Sequence, residues 1–249
     1  MATESGGTTE TGGLLKEIHD RLLDQYGPQS WWPAEGPLEV IVGAILTQSA
    51  AWTNVEKALA NLKGAGVLSV DGLRKVDEAS LALLVFPAGY FNAKARKLKA
   101  FIEMLDREFA GDLSRLLAEP LDSLRPILLA THGIGPETAD AILLYAAGQP
   151  AFVVDAYARR IFGRIGLTPS DDRYESWRRL LTQNLPHDTA LMNEYHALLV
   201  THGKELCRKR EPLCPTCPLV EICQLARSRI EAAENEPRNA AYAEGRRAV

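Results

Sequence analysis

The sequence lacks long apolar runs, a strong net charge and a signal-like beginning. No stretch approaches the about 18 consecutive apolar residues of a membrane-spanning helix, and no charged-then-apolar pattern of a secretory leader is present. We therefore expect a cytoplasmic protein with no membrane partner. The net charge of −4 argues against a protein that coats nucleic acid by bulk charge. Lys and Arg residues clustered on one face could still bind phosphates.

The sequence also lacks alternating apolar and polar residues, the pattern of half-buried β-strands, and it contains no internal repeat. Apolar residues instead recur at helical spacing, so the 249 residues are predicted to form an all-α fold of one large or two modest domains. The longest helix, 92–109, is predicted to have a basic face made by Lys94, Arg96, Lys97 and Lys99. Segments 1–12 and 226–249 have few large apolar residues and are predicted to be tails, disordered or at most frayed helix. The remaining main helices are predicted at 14–26, 38–46, 52–62, 121–129, 138–147, 157–165, 174–181 and 190–200.

A turn between two predicted helices is the most informative local feature. Gly133 and Gly135 bracket Ile134, and Pro136 follows where the first turn of a helix tolerates a missing N–H. We expect both glycines to adopt positive φ and to expose N–H groups that can bind a phosphate. A turn that merely joins two packed helices is the simpler alternative.

A carboxylate follows this turn at a fixed spacing. Asp155 lies 20 residues after Gly135, directly after the apolar run 152–154 and before a predicted helix. The position is typical of an N-cap residue.

The motif Gly-Ile-Gly-x-x-Thr-Ala, followed by Val-Asp, resembles the endonuclease III superfamily of DNA glycosylases, which share a helix-hairpin-helix-GPD motif. The resemblance covers about residues 27–225. It implies a two-lobed, all-α glycosylase fold with a C-terminal iron–sulfur cluster loop. One lobe would be a six-helix barrel at 27–149 that contains the helix-hairpin-helix at 131–147. The other would be an iron–sulfur domain made by 13–26 and 150–225.

The four cysteines fall within 17 residues, in the spacing C-x6-C-x2-C-x5-C. In a cytosolic chain such clustering indicates a metal site more often than disulfides, and zinc stays an alternative, although only one pair is close together. The spacing is similar to that of the iron–sulfur loop of the family, which implies a 4Fe-4S cluster. Basic residues around the loop could bind the DNA backbone or could be ordinary solvated charges. The cysteines are Cys207, Cys214, Cys217 and Cys223, and the basic residues are Lys204, Arg208, Lys209 and Arg210.

The resemblance also assigns the chemistry. Breaking the bond between a base and C1′ creates positive oxocarbenium character, and Asp155 is the candidate carboxylate that stabilises this charge and orients water. Members that also cut the strand use a lysine two residues after the second glycine, and in this chain that position is Glu137. A carboxylate cannot form the Schiff base, so we expect a monofunctional enzyme with doubtful lyase activity.

Several segments look like the bacterial 3-methyladenine branch, among them 31–33, 43–48 and 88–95. By that likeness Trp32, Pro33 and Trp52 line a base pocket, together with Trp31 and Glu137. Trp31 could equally be a core residue, and Glu137 a helix-start residue that faces outward. An alkylated, cationic purine would gain about 0.5–2 kcal/mol from aromatic faces.

Further DNA contacts are expected around the hairpin. Gln48 either fills the gap left by the flipped base or is a satisfied polar residue at a helix end, and His132 either contacts phosphate or is structural. The resemblance further implies a monovalent cation at the hairpin. The remaining expected DNA contacts are Gly133, Ile134, Gly135 and Thr138.

The sequence thus predicts a monomeric, nucleoid-associated DNA glycosylase that acts on alkylated bases in double-stranded DNA. Two alternatives stay open. One is an endonuclease III-like glycosylase for oxidised pyrimidines with weak or no lyase activity. The other is a non-catalytic protein that binds damaged DNA.

Overall fold

The structure is a computed structural model that describes residues 9–233. These residues form helices and loops and contain no β-strand, which confirms the predicted all-α class. In chain order the α-helices are α1 (Glu10–Tyr26), α2 (Pro37–Leu46), α3 (Trp52–Gly64), α4 (Val70–Lys75), α5 (Glu78–Leu84), α6 (Phe91–Phe109), α7 (Leu113–Ala118), α8 (Leu121–Ala130), α9 (Pro136–Ala141), α10 (Ala156–Ile165), α11 (Tyr174–Thr182) and α12 (Thr189–Glu205).

The chain divides into two compact units, each considered by itself. The hairpin unit comprises Ser30–Val153 and His187–Asn193. The cysteine unit comprises the described parts of Met1–Gln29, Val154–Pro186 and Glu194–Val249. Among the described helices, none has the combination of length and apolarity that crossing a bilayer requires.

Helix α2 lies at the centre of the hairpin unit. It begins with Pro37 at its first turn, and every residue from Glu39 to Leu46 is buried. A helix that is apolar on all sides must be surrounded by protein, and α2 packs against α3, α6 and the π-helical segment Ile142–Ala146 that continues α9. Its apolar side chains each contribute about 1.5–3 kcal/mol to folding through burial.

Helix α6 buries the apolar face that its periodicity predicts, but its basic face differs from the prediction. Lys94 is only 1% exposed, so this member of the predicted basic face is buried. Its ammonium group donates a hydrogen bond of 2.6 Å to the carbonyl oxygen of Ala88, at the end of the 3₁₀ turn Phe86–Ala88. Burial, and secondarily the charge of Lys97, lowers the pKa of Lys94. The buried face of α6 includes Leu98, Phe101, Ile102, Leu105 and Phe109.

The cysteine unit is built from α1, α10, α11 and most of α12. The buried hydroxyl of Tyr195 on α12 donates a 2.9 Å hydrogen bond to the carbonyl oxygen of Leu15 on α1. Helix α1 ends at Tyr26, and Gly27 follows with φ +68°, as the Gly-Pro pair predicts.

The chain ends are more ordered than predicted. Thr9 caps α1 by accepting a 2.9 Å hydrogen bond from the N–H of Gly12, so residues 9–12 are not a disordered tail. Residues 224–233, beyond the helices named above, are also helical, which the predicted frayed helix allows, and Ala226 is buried. The rest of these two predictions, 1–8 and 234–249, lies outside the described residues.

Candidate functional site

The turn between α8 and α9 requires a glycine at position 133. Gly133 has φ +81°, a conformation that L-residues with a side chain rarely adopt. A Cβ atom there would lie 2.3 Å from Cγ of Lys97, so the close approach of this side chain also excludes any larger residue. Ile134 between the glycines is buried, and its N–H donates to the carbonyl oxygen of Thr131 at 3.1 Å.

The second glycine differs from the prediction. Gly135 is extended, with φ −87°, so the expectation of positive φ is wrong at this position. The residue before a proline is restricted to extended conformations, and Pro136 follows directly. Gly135 is exposed, and a Cβ atom on it would meet no heavy atom within 4 Å.

Gln48 stabilises this turn through side-chain hydrogen bonds. Its side-chain Nε2 donates to the carbonyl oxygen of Gly133 at 3.0 Å and to the hydroxyl of Thr138 at 2.9 Å. Its Oε1 accepts a hydrogen bond from the ammonium group of Lys97. An ammonium group can only donate, so Lys97 fixes which way the amide points. Gln48 is thus a hydrogen-bonded residue just beyond the end of α2, and its filling of the gap left by a flipped base stays a prediction.

An ion pair joins the two helices that flank the turn. The guanidinium group of Arg125 on α8 donates to both carboxylate oxygens of Asp140 on α9, at 2.7 and 3.2 Å. The Asp140 side chain is fully buried and that of Arg125 is 11% exposed. The hydrogen bonds of Gln48 and the ion pair thus hold the turn against the rest of the hairpin unit. His132 and Glu137 are exposed to solvent.

Aromatic side chains form a cluster elsewhere in the hairpin unit. The Trp32 ring lies 5.1 Å from Trp52 in an edge-on arrangement, and Trp31 lies 5.4 and 5.5 Å from Trp32 and Trp52. Tyr145, whose ring is 5.2 Å from that of Trp32, completes the cluster and was not predicted from the sequence. The sequence feature that could have identified Tyr145 is its position as an aromatic residue at the end of the apolar run 141–145.

The cluster is neither a sealed core nor a fully exposed surface. Trp31, Trp32 and Trp52 are all partly exposed, and Pro33 is exposed. The indole nitrogens of Trp31 and Trp32 are nevertheless buried, without a hydrogen-bond partner among the described residues. Gly43 on α2 allows the Trp32 ring to lie close to the helix, because a Cβ atom at position 43 would lie only 3.2 Å from Cζ2 of Trp32.

Asp155 lies in the cysteine unit and caps α10 as predicted. Its Oδ1 accepts a 2.8 Å hydrogen bond from the N–H of Ala158. Its side chain is 15% exposed, and its second oxygen, Oδ2, lies 3.6 Å from Nε2 of His196 on α12. His196 was not predicted, although a polar residue within the apolar stretch 195–200 is a signal that could have identified it.

The four cysteines surround one cavity in the cysteine unit. All four are free thiols, and Cys214 and Cys223 are buried. Burial raises the pKa of Cys217 to about 11 and also raises that of Cys223, so their thiolates need a compensating cation. Within residues 9–233, no three His, Cys, Asp or Glu side chains are grouped closely enough to bind a single metal ion. The cavity is otherwise lined by Ile161, Arg164, Ile165, His202, Leu206, Pro212, Leu213, Leu219, Leu225 and Ala226.

Two nitrogen-bearing side chains lie against the cysteine sulfurs. The guanidinium group of Arg164 is 3.2 Å from Sγ of Cys207, and Nε2 of His202 is 3.6 Å from Sγ of Cys217. The Tyr26 hydroxyl lies 3.0 Å from the other ring nitrogen of His202. Burial, and secondarily the charge of Arg160, lowers the pKa of His202 to about 4, which keeps the imidazole neutral near pH 7.

The basic residues of the cysteine loop are all exposed, namely Lys204, Arg208, Lys209 and Arg210. Arg164 holds the loop backbone, because its guanidinium group donates to the carbonyl oxygens of Arg208 and Lys209 at 2.8 and 2.9 Å. Their side chains can therefore extend into solvent from a fixed backbone.

The chain is similar to known proteins over most of its length. Residues 42–187 match the family described as HhH-GPD superfamily base excision DNA repair protein. A Methanocaldococcus jannaschii protein, provisionally named a DNA repair glycosylase, is 43% identical over 212 residues, which cover 84% of this chain and 96% of that protein.

Two solved structures are also similar. The structure of the H. pylori 3-methyladenine DNA glycosylase bound to 1,N6-ethenoadenine has a TM-score of 0.68 and 26% identity, covering 79% of this chain and 98% of that one. A non-covalent endonuclease III–DNA complex has a TM-score of 0.76 at 22% identity, a likeness of fold that covers 90% of this chain and 100% of that one. With its hairpin between α8 and α9 and its Asp155 cap, the chain belongs to the helix-hairpin-helix-GPD superfamily of base excision DNA repair proteins.

Proposed function

We propose that this protein is a monofunctional DNA glycosylase that hydrolyses the N-glycosidic bond of alkylated purines of the 3-methyladenine type. The observation that carries the proposal is the partly exposed cluster of Trp31, Trp32, Trp52 and Tyr145. A base flipped out of a duplex is bound by stacking on aromatic rings. A positively charged alkylpurine gains about 0.5–2 kcal/mol over a neutral base on such faces, because the ring faces are electron-rich.

The likeness to the H. pylori glycosylase supports the same substrate class. That protein is named for 3-methyladenine and is bound to an ethenoadenine, a modified purine.

Asp155 is the proposed catalytic carboxylate. Its negative charge would stabilise the oxocarbenium character at C1′ and orient the attacking water. The cap to Ala158 occupies Oδ1, and Oδ2, which lies 3.6 Å from Nε2 of His196, is the oxygen proposed for this task. The cap therefore fixes one oxygen of the carboxylate before substrate binds, and a fixed charge is what electrostatic stabilisation requires.

The remaining expected contacts would bind the DNA backbone. The exposed His132 and Gly135 lie on the solvent side of the turn, and backbone N–H groups at a helix start bind phosphate without side-chain charge. The exposed cations of the cysteine loop would add contacts that do not depend on base sequence. Gln48, Thr138 and Ile134 would act indirectly, by fixing the turn.

Glu137 supports the monofunctional assignment. It is exposed in the first turn of α9, at the position where strand-cutting members of the family carry a lysine. A carboxylate cannot attack C1′ to form a Schiff base, so base release would leave an intact strand with an abasic site.

We further propose that the four cysteines bind a 4Fe-4S cluster. In such a cluster each thiolate binds a different iron, so the thiols line a cavity rather than converge on one point. The cavity that all four thiols line supports this arrangement. When bound, the cluster would cross-link the loop that carries the basic residues. A purified protein that contains zinc and no iron would refute this assignment.

The decisive experiment compares base release by the wild-type protein and the Asp155→Asn variant. The substrates are duplexes with 3-methyladenine, thymine glycol, a mismatched thymine or uracil. We expect release of the alkylated base alone, and at least about 100-fold slower release by the variant. Asp77→Asn is the matched control, because Asp77 caps α5 through the same kind of bond to Ser80.

Other outcomes would decide for the alternatives. Release of thymine glycol instead would favour oxidised pyrimidines, and trapping of a covalent DNA adduct by borohydride would refute the monofunctional assignment. Binding to damaged duplexes without release of any base would favour a non-catalytic binding protein.

A further inference from the structure

The second oxygen of the Asp155 carboxylate faces a buried imidazole. Oδ2 of Asp155 lies 3.6 Å from Nε2 of His196, whose side chain is 8% exposed. Both residues belong to the cysteine unit, Asp155 at the start of α10 and His196 within α12. Forty-one residues separate them along the chain, so only the packing of α10 and α12 brings them together.

The geometry distinguishes the two carboxylate oxygens. Oδ1 accepts from the N–H of Ala158 at 2.8 Å, which fixes one oxygen but leaves the carboxylate able to tilt about that bond. A donor beside Oδ2 restricts this tilt. At 3.6 Å the imidazole is too far for a strong hydrogen bond, but contacts of this kind are often long without substrate and tighten once the reacting groups are bound.

We propose that His196 is a positioning residue that orients the Asp155 carboxylate through Nε2, an inference that rests on the proposed glycosylase function. The role requires the proton on Nε2, so that the ring donates toward Oδ2. His196 then contributes to base release by keeping Asp155 in the orientation that stabilises the charge at C1′, without touching the DNA. Removal of a residue that orients an active-site group in this way typically lowers activity about 10–100-fold, as it does for residues that hydrogen-bond to metal ligands.

The test measures single-turnover release of 3-methyladenine by four variants of the full chain. They are His196→Leu, His196→Gln, Asp155→Asn and the double variant His196→Leu, Asp155→Asn. His196→Leu removes the donor but keeps an apolar side chain of moderate size, whereas His196→Gln places an amide nitrogen near the former Nε2 position. We expect about a tenfold or greater loss of the single-turnover rate constant in His196→Leu, with substantial recovery in His196→Gln. The dissociation constant for undamaged duplex should not change in either variant.

Coupling to Asp155 separates positioning from a structural role. If His196 acts through the carboxylate, the double variant His196→Leu, Asp155→Asn should release base no more slowly than Asp155→Asn alone. Equal loss in the Leu and Gln variants, or a further loss in the double variant as large as that in the wild-type background, would overturn the proposal.

A second measurement does not depend on catalysis. The chain has five histidines, so its imidazole resonances can be assigned by nuclear magnetic resonance. The Nε2 resonance of His196 should move in Asp155→Asn and stay unchanged in the control Asp77→Asn. An unmoved resonance would refute the contact. If wild-type protein releases no base from any duplex while the resonance moves, the glycosylase proposal fails and the contact between the two residues stands.

Discussion

At the scale of residues, Gly133 combines two constraints in one position. Its φ of +81° is unfavourable for a residue with a side chain, and Lys97 fills the space where a Cβ atom would lie. The substitution Gly133→Ala should therefore lower the free energy of unfolding by about 1–3 kcal/mol, measured by urea denaturation.

Gly135→Ala is the matched control, because the residue is extended and has open space around it. Its free energy of unfolding should change by less than about 1 kcal/mol. If the methyl group at this exposed position also weakens DNA binding, the loss reports contact with the phosphate backbone rather than damage to the turn. Equal destabilisation by both substitutions would contradict the described conformation of the turn.

Substitution can separate the helix cap made by Asp155 from its proposed catalytic role. Asparagine caps helices about as well as aspartate, so Asp155→Asn should keep the bond to Ala158 and change stability by only a few tenths of a kcal/mol. Asp155→Ala loses the cap and should cost about 0.5–2 kcal/mol of stability. Thermal unfolding and base release, measured on the same samples, check both.

Both Asp155 variants should lose base release to a similar extent, because both lack the negative charge. A variant Asp155→Asn that released base at the wild-type rate would show that this carboxylate does not stabilise the transition state.

At the scale of elements, the joint between α8 and α9 depends on the ion pair of Arg125 and Asp140. Removing the carboxylate takes from Arg125 a buried partner of opposite charge and two hydrogen bonds. Asp140→Ala should therefore lower the free energy of unfolding by about 3–5 kcal/mol, measured by urea denaturation.

The exposed pair of Arg173 and Asp171 provides the comparison, since the Arg173 side chain is 81% exposed. Arg173→Ala should cost no more than about 1 kcal/mol. If Asp140→Ala were as mild as this control, the pair would not be what fixes the hairpin helices.

At the scale of the whole molecule, the proposed cluster would link metal binding to the order of the cysteine loop. Cys214→Ser and Cys217→Ser should prevent cluster assembly and leave the loop tied only by Arg164 and its neighbours. Trypsin should then cut after Arg208, Lys209 or Arg210 much faster than in the wild-type protein, as seen by mass spectrometry of the fragments.

Lys16 lies on α1 and pairs with Asp20, outside the cysteine loop. The rate of tryptic cleavage after Lys16 should be the same in the cysteine variants and the wild-type protein. This site therefore serves as the control for general unfolding. Faster cutting at both places would show that the cysteines stabilise the entire unit, and unchanged cutting at the loop would contradict a cross-linking role.

Local features of this protein could be predicted from its sequence, because they depend on residues within one or two helical turns. The apolar period of α6, the Gly-Pro stop after α1, the cap at Asp155 and the spacing of the cysteines are of this kind. Each involves neighbours whose geometry the backbone fixes, so no knowledge of packing is needed.

Only the tertiary structure decided which distant side chains meet. Gln48 lies 85 residues from Gly133, and the contact of His196 with Asp155 spans 41 residues. The same packing buries Lys94, because its ammonium group finds a carbonyl oxygen at the end of a neighbouring turn. Helical periodicity says which face of a helix turns inward, whereas the partner of a polar group depends on which helices come together.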